Sequence, residues 1–448
     1  MEEVDLLIEH GHLVTVDEDD RQISDGLIAV RGGRIVALGA CRDDRWRFRA
    51  PRVVNAAGKY VFPGFVNTHT HLFQVLLKGL GRDKPLIGWL QDHIRPVIPK
   101  LDEESCYLAA AAGCIEAIRS GTTTVLDYMY AHPRPGLSDA VISAFLDTGV
   151  RGILARGFTD RAYGDETQRR LVEDVEDVLA DAARLNDRYG DGDRVDIWLA
   201  PTAIWNLTER GLDEIARFSR RHGVPVTMHL KETESDDESS LSRFGQRALP
   251  YLASRGFLDE NVLAVHCVHL DDQDVRLLSE HGVKVSYNPA SNMIMGSGIP
   301  PITRLLQAGV TVGLATDGAA SNDGQDMVET LKLAALLQKL GTRNPAVISA
   351  TRVLRMATID GARALGKERE IGSLEVGKAA DLFIYDPLKA KSAPVHDPVA
   401  SLVFSSGESN VDTTVVGGRV IMEHGRIPGL DEEGLLRRLS DIAGRLIN

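Results

Sequence analysis

His69 and His71 in PGFVNTHTH, His229 in VPVTMHLKE and Asp317 in VTVGLATDG each close an apolar, β-branched run, and His266 closes another in VLAVHC. Three imidazoles and one carboxylate form a donor set for a single divalent ion that leaves a position open for water, as a catalytic site requires and a closed structural site does not. Nitrogen and oxygen donors of this kind suit zinc, with ferrous iron the competing ion. Taken alone, the HxH pair fits two surface or helix-capping histidines equally well. His229 and Asp317, each at the end of a later strand, tip the balance to a metal.

Glu232 follows His229 by three residues, where it overhangs the ion without having to bind it. It is the expected general acid/base, receiving a proton from water acidified by the metal to a pKa of about 7 and passing it to the ring nitrogen of an amidine-like substrate. The competing reading is a solvated glutamate in the charge run KETESDDE, but that run starts at a strand end. His266 is preferred to His269 because it ends its strand, and its expected role is to orient the attacking oxygen and the developing tetrahedral centre. Asp317 has two expected duties, ligand and proton acceptor, in a loop (DGAASNDG) whose glycines suit tight backbone around a ligand. The fourth strand run, DIWLAPTAIW, lacks a lysine that could bridge two ions, so one metal is expected.

These side chains need strand ends gathered on one face. Between Val61 and Leu340, short apolar runs alternate with helix-patterned stretches eight times, which implies a (β/α)8 barrel of the α/β class with its active site at the carboxyl ends of the strands. The strands are expected at Phe65–Thr68, Thr123–Asp127, Gly152–Arg156, Asp196–Ala200, Pro225–His229, Val262–His266, Lys284–Tyr287 and Thr311–Ala315. Amphipathic spacing predicts helices over Asp102–Ser120, Thr167–Arg188 and Thr208–Arg221. Before Tyr60 and after Arg363 the texture changes to hairpins. The expected division is therefore residues 1–61 and 366–448 as the two parts of one small β-sandwich, the second ending in a helix over Leu430–Leu446, with the barrel over 62–365.

A chain of 448 residues, 43% hydrophobic, buries a large core. Its net charge of −13, from 64 acidic and 51 basic residues with no basic run, argues against a nucleic-acid surface and for a small-molecule partner. No long apolar stretch suggests a membrane span or signal peptide, so the expected location is cytoplasmic. Cys41, Cys106, Cys114 and Cys267 lie in unrelated segments and read as buried thiols. A homo-oligomer is the usual expectation for such an enzyme.

The segments PGFVNTHTH, HLKET, HCVHL, NPASN, TDGAASN, MATIDGA and GSLEVGKAADL together resemble the amidohydrolase superfamily, in its aminohydrolase and chlorohydrolase branch. The resemblance implies that His69, His71, His229 and Asp317 hold one zinc or iron ion, that Glu232, His266 and Asp317 are catalytic, and that the reaction is hydrolytic deamination of an N-heterocycle. Motif wording is similar to methylthioadenosine/S-adenosylhomocysteine deaminases, which implies substrate contacts at Trp89, Arg156, Glu232 and Asn322. Two positions depart from that pattern. Ile98 stands where a ribose-binding glutamate is expected, and Thr202 or Ala203 where a histidine is expected. A buried ribose needs polar partners for its hydroxyls, so a free base, a pterin or an s-triazine becomes the leading expectation. Nucleoside deamination and s-triazine dechlorination are the alternatives. Trp205 has two readings, a platform for the ring or a core side chain.

Overall fold

The computed structural model describes residues 1–162, 169–190 and 193–447. All eight barrel strands form: Phe65–Thr70 (β1), Thr122–Met129 (β2), Arg151–Phe158 (β3), Val195–Pro201 (β4), Val226–Leu230 (β5), Val262–His266 (β6), Lys284–Tyr287 (β7) and Val312–Leu314 (β8). Each pairs in parallel with the next in chain order. The end meets the beginning: the Asp317 amide donates to the His69 carbonyl at 3.1 Å, and the Thr68 hydroxyl to the Leu314 carbonyl at 3.0 Å. Every residue of β1, β2 and β3 is buried, as parallel strands covered on both faces must be.

Local signals place the helices. Asp102 accepts the Ser105 amide and starts Glu103–Arg119, and Thr208 accepts the Gly211 amide and starts Glu209–His222. The helix expected over Thr167–Arg188 is shorter. It runs Val175–Tyr189 behind the cap Asp174, so Leu171 precedes it, while Thr167 and Gln168 lie outside the described residues.

Both chain ends meet in one hydrogen-bonded sheet. Its strands, in order, are Arg419–Glu423, Val411–Val416, Leu382–Tyr385, Tyr60–Pro63, Leu6–Val14, Gln22–Arg31 and Arg34–Ala40, with Arg52–Asn55 beside Leu6–Val14. Alternation gives it two buried faces: Leu6, Ile8, Ile28 and Val61 enter one core with Leu382 and Val415, while Leu7, Leu27 and Ala29 pack on Cys41 and Phe48. The sheet curls until its last strand meets the segment before Leu382, with the Ile35 amide on the Lys378 carbonyl at 2.9 Å and the Ala380 amide on the Gly33 carbonyl at 2.8 Å. The terminal helix, Glu432–Ile447, lies on the barrel helix Glu103–Arg119, where Arg119 pairs with Glu432 at 2.8 Å. All four cysteines are buried thiols. Among the described residues no helix is long and apolar enough to cross a membrane.

Candidate active site

The chemistry-bearing residues converge at the carboxyl ends of β1, β5, β6 and β8. Asn67 ties β1 to the end of β8, donating to the Thr316 hydroxyl at 2.8 Å and accepting the Thr316 amide at 3.1 Å. That link sets the HxH pair against Asp317. Backbone strain gathers here too, because Lys231 (φ 58°), His266 (φ 75°), Cys267 (φ 51°) and Asp317 (φ 65°) all sit in the left-handed region, which residues with a Cβ adopt only where their surroundings over-determine it.

Asp317 Oδ1 stands 3.5 Å from both His69 Nε2 and His71 Nε2, and His229 Nε2 stands 3.2 Å from His71 Nε2. Two donors each about 2.1 Å from one ion at a tetrahedral angle would stand about 3.4 Å apart; His69, His71 and Asp317 form a group that could hold one divalent ion, and His229 stands beside it. Both ring nitrogens of His69 are buried without a hydrogen-bond partner among the described residues. His71 Nδ1 donates to the Tyr128 carbonyl at 2.7 Å and His229 Nδ1 to the Thr202 carbonyl at 2.9 Å, which leaves each Nε2 lone pair facing the cluster. Burial pulls the imidazoles down, His69 to about 4 and His71 and His229 to about 3. All three are therefore neutral donors at ordinary pH, as metal binding demands. Burial pushes the Asp317 carboxyl up, but His69, His266 and His71 outweigh it and hold the group well below the usual carboxylate range.

Glu232 and His266 flank this cluster. Glu232 is buried, not solvated, with Oε2 3.5 Å from His266 Nε2, and His266 Nε2 is 3.7 Å from Asp317 Oδ2. Burial raises the Glu232 carboxyl above its ordinary value against the opposing pull of His266. His266 Nδ1 lies 3.0 Å from Asn292 Oδ1, which fixes the ring. His269 instead turns away, with Nε2 on the Ser297 carbonyl at 2.9 Å.

One cavity opens over the cluster, lined by His71, His229, Glu232, His266 and Asp317 together with Trp89, Ile98, Ala203 and Trp205. Two expected substrate contacts are not among its lining residues. Arg156 is buried against Glu173 at 2.6 Å and Asp181 at 2.8 Å, and Asn322 donates to the Gly324 carbonyl at 3.3 Å while its neighbour Ser321 lines the cavity. Thr202 contributes its carbonyl to His229, and its hydroxyl donates to the Phe158 carbonyl at 2.6 Å. Gln74, Arg95, Tyr130 and Asp236 line the cavity and were not singled out by sequence. Asp236 lay hidden in the acidic run SDDESS. It is buried in the first turn of helix Ser235–Phe244, its carboxylate accepts the Glu232 amide at 3.1 Å, and burial raises it to about 7. Arg95 follows a π-helical turn, Leu90–Ile94, in which the Arg95 amide reaches back to the Leu90 carbonyl at 2.9 Å.

Residues 60–421 match the model of the amidohydrolase family. The chain belongs to that family. This amidohydrolase is a hydrolase of C–N bonds. It is 37% identical, over 98% of either chain, to 5-methylthioadenosine/S-adenosylhomocysteine deaminase of Syntrophobacter fumaroxidans. Among solved structures it is similar to an adenosine deaminase from Xanthomonas campestris with bound zinc, with a TM-score of 0.93 and 30% identity over 99% of both chains. It is also similar to atrazine chlorohydrolase from Arthrobacter aurescens in complex with zinc, with a TM-score of 0.90 and 27% identity over 99% of this amidohydrolase and 100% of that chain.

Proposed function

We propose that this amidohydrolase is a metal-dependent aminohydrolase that releases ammonia from an amine-bearing N-heteroaromatic ring without ribose: a free base, a pterin or an s-triazine. The observation that carries the reading is the cavity wall, where Ile98 and Ala203 are buried and apolar and stand among Trp89, Ile94 and Trp205. Such a wall accepts a flat ring and offers ribose hydroxyls no partner at those positions.

His69, His71, His229 and Asp317 would hold the ion, which supplies a Lewis acid that lowers the pKa of water to about 7. Glu232, raised by burial, delivers a proton to the ring nitrogen beside the amine-bearing carbon. His266, between Glu232 and Asp317, steadies the attacking oxygen and the tetrahedral centre. Glu232 takes the proton it delivers from the attacking water, and Asp317 accepts the remaining proton of the same oxygen and passes it to the departing amine.

A second reading, deamination of an adenosine-type nucleoside, is supported by the Syntrophobacter relative and the Xanthomonas neighbour, and dechlorination by the Arthrobacter neighbour. The deciding experiment follows ammonia and chloride in parallel across methylthioadenosine, adenosine, cytosine, guanine, a pterin, melamine and a chlorotriazine. Turnover confined to free rings is the expected result. Turnover of the nucleosides would overturn the ribose-free reading, and chloride release without ammonia would make the enzyme a dechlorinase.

A further inference from the structure

Strict alternation along β5 puts His229 and Lys231 on the same side and sends Leu230 and Glu232 to the other. The reverse is found: Glu232 lines the cavity with His229, and Lys231 is buried away from it. The exchange happens at one residue, because Lys231 has φ 58°, in the left-handed region, and a single residue so placed resets the alternation. No glycine eases the turn.

What holds it is visible on both sides of the residue. The Lys231 carbonyl accepts the amides of Val268 and His269, each at 2.9 Å, and the Leu230 carbonyl accepts the Cys267 amide at 3.1 Å, so the end of β5 is laced to the residues that follow His266. The side chain runs beneath the site, where its ammonium pairs with Asp237 and, at 3.5 Å, with Asp274. Asp237 belongs to helix Ser235–Phe244 and its Oδ1 accepts the Ala248 amide at 2.9 Å, at the start of helix Ala248–Ser254. Asp274 belongs to helix Asp272–Glu280 and also receives Arg247 at 3.2 Å. One buried ammonium thus joins the strand end to helices on either side.

We infer that Lys231 is a positioning residue: anchored by Asp237 and Asp274, it holds the left-handed turn that swings the Glu232 carboxylate over the metal cluster, 3.5 Å from His266. The inference rests on the function proposed above, in which Glu232 is the acid. Asp236, on the Glu232 amide, secures the far side of the same turn.

The test uses the metal-loaded enzyme and the substrate that the panel identifies. Lys231→Met keeps the length of the side chain and removes its charge; kcat falls about 10- to 100-fold, the size of effect that a misplaced catalytic group produces, while KM and metal stoichiometry stay within about twofold of the parent. Lys231→Arg restores most of the lost kcat. In the Glu232→Gln background, Lys231→Met has no further effect on the residual rate, since its action passes through the acid alone. Should Lys231→Met fail to fold, Asp237→Asn, at a partly exposed partner of the same ammonium, is measured in its place with the same expectations. A folded Lys231→Met variant with parental kcat, or one whose loss persists undiminished in the Glu232→Gln background, overturns the inference. Normal turnover by Glu232→Gln alone overturns the proposed mechanism instead, and an inactive Glu232→Gln with an unaffected Lys231→Met overturns only the positioning role.

Discussion

Buried carboxyls at this site titrate in opposite directions, and the difference assigns their work. Asp317 is held well below the usual carboxylate range beside His69, His266 and His71, whereas Glu232 is pushed towards its protonated form by burial; a carboxylate ionised at rest suits a ligand that takes up a proton only in passing, and a group that holds its proton suits an acid. Glu232→Gln keeps the shape and loses the proton, so kcat is expected to drop by about 10²- to 10⁴-fold with metal retained, while His229→Ala loses both metal and activity. Parallel metal analysis and steady-state rates check the pair, and a Glu232→Gln enzyme with normal kcat would contradict the assignment. Asp127 gives a separate residue-scale prediction, because it is buried at the end of β2, its Oδ1 accepts the Leu72 amide at 2.7 Å, and burial raises it to about 7. Its unfolded value is near 4, so below that pH both states hold the proton and the group is neutral to stability. Between about 4 and 7 the folded state binds more protons than the unfolded state, and stability is lost as pH rises. Asp127→Asn mimics the protonated form. Its melting temperature should match the parent near pH 4 and exceed it at pH 8, and a difference that does not change with pH would refute the shift.

The metal-type residues were legible in the sequence because each ends a strand with a clear texture, and all eight strands stand where β-branched runs meet Gly, Pro or Asp. Side chains whose direction depends on tertiary partners were not. Arg156 sits on β3 as the motif implied, but Glu173 and Asp181 hold it away from the cavity, and ion pairing of that kind leaves no trace in local spacing. Arg95 was invisible for a different reason: a π turn adds a residue to the helical repeat, so the face it presents cannot be read at 3.6 residues per turn. The glycines of the loop after β8 suit tight backbone around a ligand, and Gly318 has a steric duty besides that spacing alone does not show. A Cβ there would stand 2.0 Å from Gln74 Oε1 and 3.0 Å from the His71 Cβ. Gln74 Nε2 in turn donates to the Tyr130 hydroxyl at 3.0 Å, and Tyr130 packs edge-on against His71 with ring centroids 4.9 Å apart. Gly318→Ala should therefore displace Gln74 and crowd His71, weakening metal affinity about 10- to 100-fold, the usual cost of disturbing a ligand's support. Competition with a chromophoric chelator measures it, and parental affinity would show that the Gln74 side chain moves aside freely.

At the scale of the molecule, the two chain ends fold against the barrel at its amino-terminal side, where β3 begins. Phe383 of the small sheet stacks on Phe62 with centroids 5.5 Å apart and reaches Phe65 of β1 at 4.7 Å, while Gly121, at φ 86°, leaves room for its ring. Inside this apolar seam lies a buried ion pair. Arg151, the first residue of β3, donates through Nε to Asp381 Oδ2 at 3.0 Å and through Nη2 to Oδ1 at 3.3 Å, and Asp381 Oδ1 also accepts the Gly417 amide at 2.7 Å. Both side chains are almost wholly buried. Such a pair adds little over a well-packed apolar seam, but breaking it strands a charge. Arg151→Met leaves Asp381 with an amide in place of a guanidinium, and the expected loss is about 3–5 kcal/mol in denaturant unfolding. Asp381→Leu in the Arg151→Met background removes the stranded charge and should recover part of that loss, although the Gly417 amide then loses its acceptor. A double variant as unstable as the single one would mean that the seam depends on the ion pair itself. Recovery would mean that the aromatic contacts join sheet to barrel and that Arg151 and Asp381 fix the register between them.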